Sequence, residues 1–276
     1  WRPTSGGGGT LMPDGRRALV IGPMKAGTTW IHDYLAARGD VCLPSGVKET
    51  FYFDRYYERG RDWYSNHFRH WDAQRHRIMV EVAPSLFHAP EAAVRVRDDL
   101  GSVPLLVVKR DPIARSWSHY MHLRRYGYTN EPLAGAIEAF PQIINASRYE
   151  EQIARWRATL PDAPLTVLEL DLLKSDPEAY VRQLCEALGI PFKPIPEMVA
   201  GEANSAAVPP SFLAAKAGRR ISYALRSMGL YGVISLAKAI GLKPLFFGEA
   251  GKGMTPRRAT ADEHALLAER LGLGKH

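Results

Sequence analysis

The residues best equipped for chemistry lie together in one run, Gly22-Pro23-Met24-Lys25-Ala26-Gly27-Thr28-Thr29. Two glycines with four residues between them let backbone N–H groups turn toward a ligand, and a lysine and two hydroxyls add further donors. That is the make-up of an anion cradle. A nucleoside-triphosphate loop keeps the same Gly-x4-Gly frame but continues as Lys-Ser/Thr, with its lysine on the terminal phosphates of a magnesium-bound nucleotide. Here Thr28 stands at the lysine position, Thr29 keeps the last one, and Lys25 sits inside the loop. The cradle is retained while the cation addresses another atom of the ligand. The chemistry indicated is that of an activated phosphate ester, not of an ordinary ATPase.

A second group follows far along the chain. Lys109-Arg110-Asp111-Pro112 stands where a nucleotide-hydrolysing enzyme would place an acidic magnesium ligand, and Ser118 comes eight residues after Arg110. A guanidinium fork with a neutral hydroxyl suits an additional phosphate. The same residues also read as a capped helix start, and spacing leaves both readings open. Lys48-Glu49 leads into Phe51, Tyr52 and Phe53; a pair of this kind is commonly just a solvated feature. His67 and His70 lie in a stretch with Tyr56, Tyr57 and Trp63 that could line an acceptor pocket.

Holding these groups in place requires strands that end at them and helices that begin there. Arg17 to Gly22 is a β-rich apolar run, and Thr29 to Arg38 carries Trp30, Ile31, Tyr34 and Leu35 at helical spacing before Gly39. Further strands are expected at 41–43, 78–82, 104–108 and 165–170. Helices are expected from Pro112, whose fixed φ suits a first helical position, and over 179–188 before Gly189. Strands alternating with helices predict an α/β protein with a central parallel sheet flanked by helices, a P-loop-like three-layer fold. Its ligand should lie at the strands' C-terminal ends.

The 276 residues suffice for one large domain. Its expected parts are a flexible leader over 1–16, an α/β core over 17–200 and a helical lid with a nucleotide-closing segment over 201–276. A net charge of +7 suits a polyanionic nucleotide, an acidic acceptor or an anionic membrane surface. No zinc-finger spacing or aromatic RNA-binding signature accompanies it, so nucleic acid is not an expected partner. Cys42 and Cys185 are far apart, which argues against a disulfide scaffold or a cysteine–histidine metal site and fits the cytoplasm. No secretory signal precedes the first strand, although the chain starts at Trp1 and not at Met. The uncharged run from Ser227 to Ala237 is too short to span a bilayer. With Arg219, Arg220, Arg226, Lys238 and Lys243 around it, the 219–248 segment reads first as a lid and second as a peripheral membrane contact.

Together these motifs resemble the sulfotransferases that use 3′-phosphoadenosine 5′-phosphosulfate. Pro23 to Trp30 is similar to the family's 5′-phosphosulfate loop, Pro-Lys-Ser-Gly-Thr-Thr-Trp, and Arg110 to Ser118 to its 3′-phosphate segment. Lys48-Glu49 with the aromatic residues behind it resembles the Lys-Glu-x-x-Phe-Phe stretch of the heparan-sulfate branch. Arg148-Tyr149 to Trp156, Leu168 to Leu173 and Asp176-Pro177-Glu178 also follow that branch. The likeness runs from about Val20 to Phe192 and suggests a soluble, bacterial-type member. Two departures stand out. Glu81-Val82-Ala83-Pro84 lacks the lysine of the usual Glu-Lys-Ser/Thr-Pro, and Met24 replaces a lysine at the loop's start. Gly251-Lys252-Gly253 resembles the short loop that closes on the 3′-phosphate.

The resemblance implies in-line transfer of a sulfuryl group to a hydroxyl, less readily an amine, of a small-molecule, carbohydrate or lipid-like acceptor. Lys25 would stabilise charge on the departing phosphate oxygen, aided by Ala26, Gly27, Thr28, Thr29 and Trp30 around the donor. Arg110, Ser118, Lys252 and Gly253 would select the 3′-phosphate, and no metal is called for. Glu49 is the implied base and Lys48 a bridge between sulfuryl group and acceptor. His88 is the rival base, since another branch uses histidine, while His119 and His122 read as structural. The competing functions are a P-loop kinase using magnesium and ATP, which the displaced Lys25 opposes, and a non-catalytic nucleotide-binding protein.

Overall fold

The structure is a computed structural model that describes residues 15–200 and 257–273. The expected leader, the lid with its 219–248 segment, Lys252 and Gly253 all lie outside the described residues, apart from the ends of the leader and of the lid. By contacts the described chain forms two units. One comprises 15–23, 27–108 and 153–200, and the other 24–26, 109–152 and 257–273.

The first unit is built on a five-stranded sheet. Its strands are β1 (Arg17–Gly22), β2 (Val41–Cys42), β3 (Ile78–Val82), β4 (Leu105–Lys109) and β5 (Leu165–Glu169), in the order β2-β3-β1-β4-β5. β1 pairs in parallel with both β3 and β4, and β2 with β3. β3 is buried along its whole length and β1 and β4 at all but one residue each, which explains why their sequences are apolar runs without alternation. The β1–β4 register shifts between Val20 and Gly22, where the strand leaves the sheet for the glycine loop.

Helix α1 (Thr28–Arg38) follows, and Gly39 ends it in the left-handed conformation expected of a helix-terminating glycine. Then come α2 (Gly60–Asn66) and α3 (Ala92–Leu100). The next helices are α4 (Pro112–Arg125), α5 (Leu133–Ala139), α6 (Gln142–Asn145) and α7 (Tyr149–Thr159). After β5 come α8 (Leu170–Ser175), α9 (Pro177–Leu188) and α10 (Glu197–Ala200), and the last described helix is α11 (Ala261–Leu271). The fifth strand stops one residue short of the expected end, because Leu170 already opens a helix. α9 begins earlier than expected, at Pro177, because Asp176 caps it by accepting from the Ala179 N–H at 2.9 Å. Among the described residues, no helix is long and apolar enough to cross a membrane.

An aromatic nest closes one part of the first unit. Tyr52 stacks on Tyr64 at 4.9 Å and meets Phe53 edge-on at 4.9 Å, and Tyr64 meets Phe68 at 5.4 Å. Trp156, fully buried, donates through Nε1 to the Phe87 carbonyl at 3.1 Å, and Arg155 grips the same carbonyl at 2.6 Å. These bonds hold the turn after β3. The second unit has its own core: Trp117, Tyr120 and Leu123 of α4 pack with Leu133, Ile137, Ile143 and Ile144, and with Leu267 of α11. Thr260 and Glu263 form a reciprocal capping box at the start of α11, and the Trp117 Nε1–H donates to the Arg257 carbonyl at 2.8 Å.

Candidate active site

The glycines of the loop are demanded by geometry. Gly22 has φ 112°, and a Cβ there would come within 2.6 Å of the Pro84 carbonyl oxygen, which is backbone and cannot swing aside. Gly27, at φ 84°, precedes α1, and among the described residues no side chain caps that helix. The Trp30 N–H bonds back to the Gly27 carbonyl at 3.0 Å, and the N–H groups of Thr28 and Thr29 head the helix at the positive end of its dipole, where an anion is favoured. Thr28 is buried and Thr29 exposed. Trp30 stacks on Tyr34 at 5.7 Å and meets Tyr180 edge-on at 5.9 Å, presenting a partly exposed indole beside the loop's end.

Lys48 and Glu49 follow β2 in the same unit. The Lys48 ammonium donates to Thr29 Oγ1 at 2.7 Å, which ties the Lys-Glu pair to the last residue of the loop. Burial pulls the Lys48 ammonium down, against the charges of Glu49 and Asp33. Glu49 is half-buried. Its carboxyl is pushed up to about 7, first by burial, with Glu81 and Asp54 adding to the rise and Lys48 and Arg55 opposing it. The backbone beside it is anchored from below. Glu81, fully buried in β3, accepts through Oε1 from the Thr50 N–H at 2.8 Å and the Thr50 hydroxyl at 2.7 Å. This supporting role was not read from sequence, where Glu81 appeared only as part of a departing motif. A charged residue inside an otherwise apolar strand was the available signal.

His88 lies partly buried in the short turn Leu86–His88 after β3. His67 donates to the Ser45 carbonyl at 3.3 Å and packs edge-on against Trp63 at 4.8 Å, and burial lowers its imidazole. His70 lies 3.4 Å from Cys42 Sγ. Tyr52 and Phe53 are core residues, whereas Tyr56, Tyr57 and Trp63 keep partly exposed faces, with Arg59 over both Tyr56 and Trp63.

The second unit gathers the cations of the loop and of α4. Lys25 adopts φ 71°, unusual for a residue with a Cβ. Arg110 donates through Nη1 to the Lys25 carbonyl at 2.9 Å, and Arg115 to the Met24 carbonyl at 3.3 Å. The backbone of Arg110 is bracketed in turn by Tyr149, whose hydroxyl accepts from its N–H at 3.2 Å and donates to its carbonyl at 2.9 Å. Lys109 pairs instead with Glu150. Asp111 caps α4 by accepting from the Ala114 N–H at 2.7 Å, with Pro112 next in line. The segment is thus the capped helix start that sequence offered as one of its two readings, and its Arg110 is bonded to the loop backbone at Lys25. Ser118 is partly exposed on α4. His122, one turn further, is driven down to about 3 by burial and by the charges of Lys25 and Arg125, so it stays neutral. His119 is buried beside Arg115, 3.3 Å from its Nη1. Among the described residues, no group of three or more His, Cys, Asp or Glu is arranged to hold a metal ion.

Comparison with known proteins bears on this geometry. A family profile described as "Sulfotransferase domain" matches residues 16–212. Human heparan sulfate glucosamine 3-O-sulfotransferase 3B1 is 30% identical over 196 residues, which cover 67% of this chain and 48% of that protein. The membrane-associated sulfotransferase kil1 of Dictyostelium discoideum is 35% identical over 103 residues, 37% of this chain and 22% of that one. The chain thus spans half or less of the length of these curated relatives. Among solved structures, a sulfotransferase from Alicyclobacillus acidocaldarius superposes with a TM-score of 0.57 at 21% identity, covering 68% of this chain and 86% of that one. At that identity the match speaks for the fold, a parallel sheet flanked by helices.

Proposed function

Since the chain belongs to the sulfotransferase domain family, we propose that it transfers a sulfuryl group from 3′-phosphoadenosine 5′-phosphosulfate to a hydroxyl of a carbohydrate or other small acceptor. The observation that carries this reading is the loop. Its lysine sits inside the cradle in a left-handed conformation, and an arginine at the end of β4 is bonded to that lysine's own carbonyl. An arginine there, where a nucleotide hydrolase would present an acidic metal ligand, suits a donor with a second phosphate.

In the proposed reaction the sulfur–oxygen bond to the 5′-phosphate breaks as a bond to the acceptor oxygen forms. The acceptor's proton passes to Glu49, and adenosine 3′,5′-bisphosphate departs. Lys25 and the N–H groups at the start of α1 would meet the charge growing on the departing phosphate oxygen, with Thr28 and Thr29 adding hydroxyls. Arg110 and Ser118, with Lys252 and Gly253, would take the 3′-phosphate. A carboxyl at about 7 is well matched to general-base work near neutrality, being substantially ionised yet basic enough to accept a proton. This favours Glu49 over His88 as the base. Lys48, held at Thr29, would orient the sulfuryl group. The relatives named for glucosamine in heparan sulfate support a carbohydrate acceptor, and the net charge of +7 supports an acidic one. Residues 201–276 would close over the donor, with peripheral membrane contact through 219–248 as a second role. Two buried free thiols, Cys42 and Cys185, favour a reducing compartment such as the cytoplasm.

The test is calorimetric titration of wild type and Lys25→Ala with adenosine 3′,5′-bisphosphate in EDTA, beside ATP with magnesium. Tight metal-independent binding of the bisphosphate, weakened by the substitution, is expected. Binding of magnesium–ATP with none of the bisphosphate would replace this reading with a kinase.

A further inference from the structure

Arg115 is a buried cation that the proposed chemistry does not use. It lies one turn into α4, is fully buried, and is second in volume only to Trp156 among the fully buried side chains described. Among the described residues no carboxylate lies within ion-pairing distance of it. Its N–H groups are taken up by neutral acceptors: Ser147 Oγ, the Ile143 carbonyl, the Gln142 carbonyl and Ser116 Oγ at 3.4 Å, His119 Nδ1 at 3.3 Å, and the Met24 carbonyl at 3.3 Å. Burial, with help from the charge of Arg110, lowers its guanidinium to about 10, which still leaves it charged at neutral pH. A desolvated charge without a counter-ion is costly, and an apolar side chain of similar volume would ordinarily serve a core better. Packing therefore gives no reason for an arginine here.

Its contact with the loop does. Arg115 and Arg110 bond to the carbonyls of consecutive residues, Met24 and Lys25, and Lys25 is the residue held at φ 71°. A left-handed residue with a Cβ persists only where its surroundings over-determine it. Turning both carbonyls onto guanidinium groups settles the orientation of the Met24–Lys25 and Lys25–Ala26 peptides, and with them the direction of the N–H groups of Lys25 and Ala26. The far side of Arg115 is fastened to the Gln142, Ile143 and Ser147 segment, so the clamp has a fixed base and does not drift with the loop.

We propose that Arg115 is a positioning residue that sets the Met24–Lys25 backbone for the 5′-phosphate end of the donor, acting through the Met24 carbonyl and making no contact with the donor itself. This rests on the donor assignment above. It goes beyond that assignment by separating two arginines of one helix start. Arg110 serves the 3′-phosphate as well as the loop, whereas Arg115 serves the loop alone.

Two ligands distinguish the roles. Adenosine 3′,5′-bisphosphate engages the loop, and adenosine 3′-phosphate lacks the group the loop would hold. Arg115→Met keeps the length and removes the fork. It is expected to weaken the bisphosphate by about tenfold or more, the loss of one well-placed polar tether. Affinity for adenosine 3′-phosphate should stay within about twofold of wild type. Arg115→Lys, which keeps the charge without the planar fork, should fail to restore bisphosphate binding, and kcat should fall in both variants because Lys25 is displaced. A folded Arg115→Met protein with wild-type bisphosphate affinity and kcat would overturn the proposal, as would equal losses for both ligands. Should that variant not fold, Ser147→Ala loosens the clamp's base while sparing the arginine. It must then weaken the bisphosphate selectively, and unchanged affinity would equally overturn the proposal. Failure of wild type to bind the bisphosphate at all would instead strike at the donor assignment.

Discussion

Replacing Glu49 with glutamine should make the protein more stable and nearly inactive, and the stability gain should depend on pH in a defined way. In the folded protein the carboxyl lies at about 7, against an ordinary 4.5, with burial as the first cause. At roughly 1.4 kcal/mol per tenfold change, holding the ionised form there costs about 3 kcal/mol relative to the unfolded chain. The raised value means that the protonated form carries no such cost. Stability is therefore undiminished below about pH 4.5, is lost progressively as pH rises toward 7, and is level above it. Glutamine cannot ionise, so the variant's advantage should be small at pH 4.5, about 2 kcal/mol at pH 6 and about 3 kcal/mol at pH 8. For a domain of this size that is a rise in Tm on the order of 6–12 °C at pH 8. Thermal unfolding of both proteins between pH 5 and 8 reads this directly. In parallel, wild-type kcat/KM should climb with unit slope below about pH 7 and flatten above it. A Tm difference that does not change with pH, or a variant less stable at pH 8, would refute the reasoning from burial to basicity.

Other substitutions probe the frame around that carboxylate. Lys25→Ala should lower kcat roughly 10²–10³-fold, the usual loss of one preorganised donor to a developing anion, and single-turnover kinetics would separate this from weaker binding. Gly22→Ala forces a Cβ within 2.6 Å of the Pro84 carbonyl at φ 112°, and should cost at least about 2 kcal/mol in urea unfolding while abolishing bisphosphate binding. Trp156→Phe removes the buried bond to the Phe87 carbonyl and part of a fully buried ring. It should cost about 1–3 kcal/mol by the same measurement, with KM for the donor within about twofold of wild type.

Local pattern made the central sheet readable. Arg17–Gly22 and Ile78–Val82 form strands over the residues expected, because buried parallel strands are written as uninterrupted apolar runs between charges and turns. Gly39 and Gly189 stop α1 and α9 as anticipated, each in the left-handed region where glycine carries no penalty. The short helices α3, α5, α6 and α8 had no comparable signal. They are four to nine residues long, too short for a periodic stripe to stand out, and tertiary packing supplies most of their stability.

The candidate site divides in the same way. The loop was singled out by residue type and spacing, whereas Arg110 and Lys48-Glu49 were singled out by the family resemblance, since spacing left the first open and a Lys-Glu pair is commonly a solvated feature. Arg115 and Glu81 were singled out by neither. One appears in sequence as another surface arginine among 36 basic residues, and the other only as part of a motif that departs from the family's. Their meaning comes from burial and from partners such as Met24 and Thr50, which only the fold brings near. The bond from Lys48 to Thr29 likewise joins residues that no helical or strand period relates.

The strand order also has a consequence for how the chain is made. β1 lies at the centre of the sheet, yet its neighbours β3 and β4 come much later in sequence, and Leu19 must wait for Leu105 before that side is paired. At ~5–20 residues per second, a ribosome takes on the order of ten seconds to deliver the second partner. Ala-Leu-Val-Ile, the most apolar stretch of β1, stands with unpaired edges on both sides until β3 is made, and with one edge still open until β4 follows. Parallel pairing across such separations is slow to nucleate and exposed to aggregation. Expression at lowered temperature, or with holdase chaperones in excess, should therefore raise the soluble yield more through this one strand than through any feature of the site.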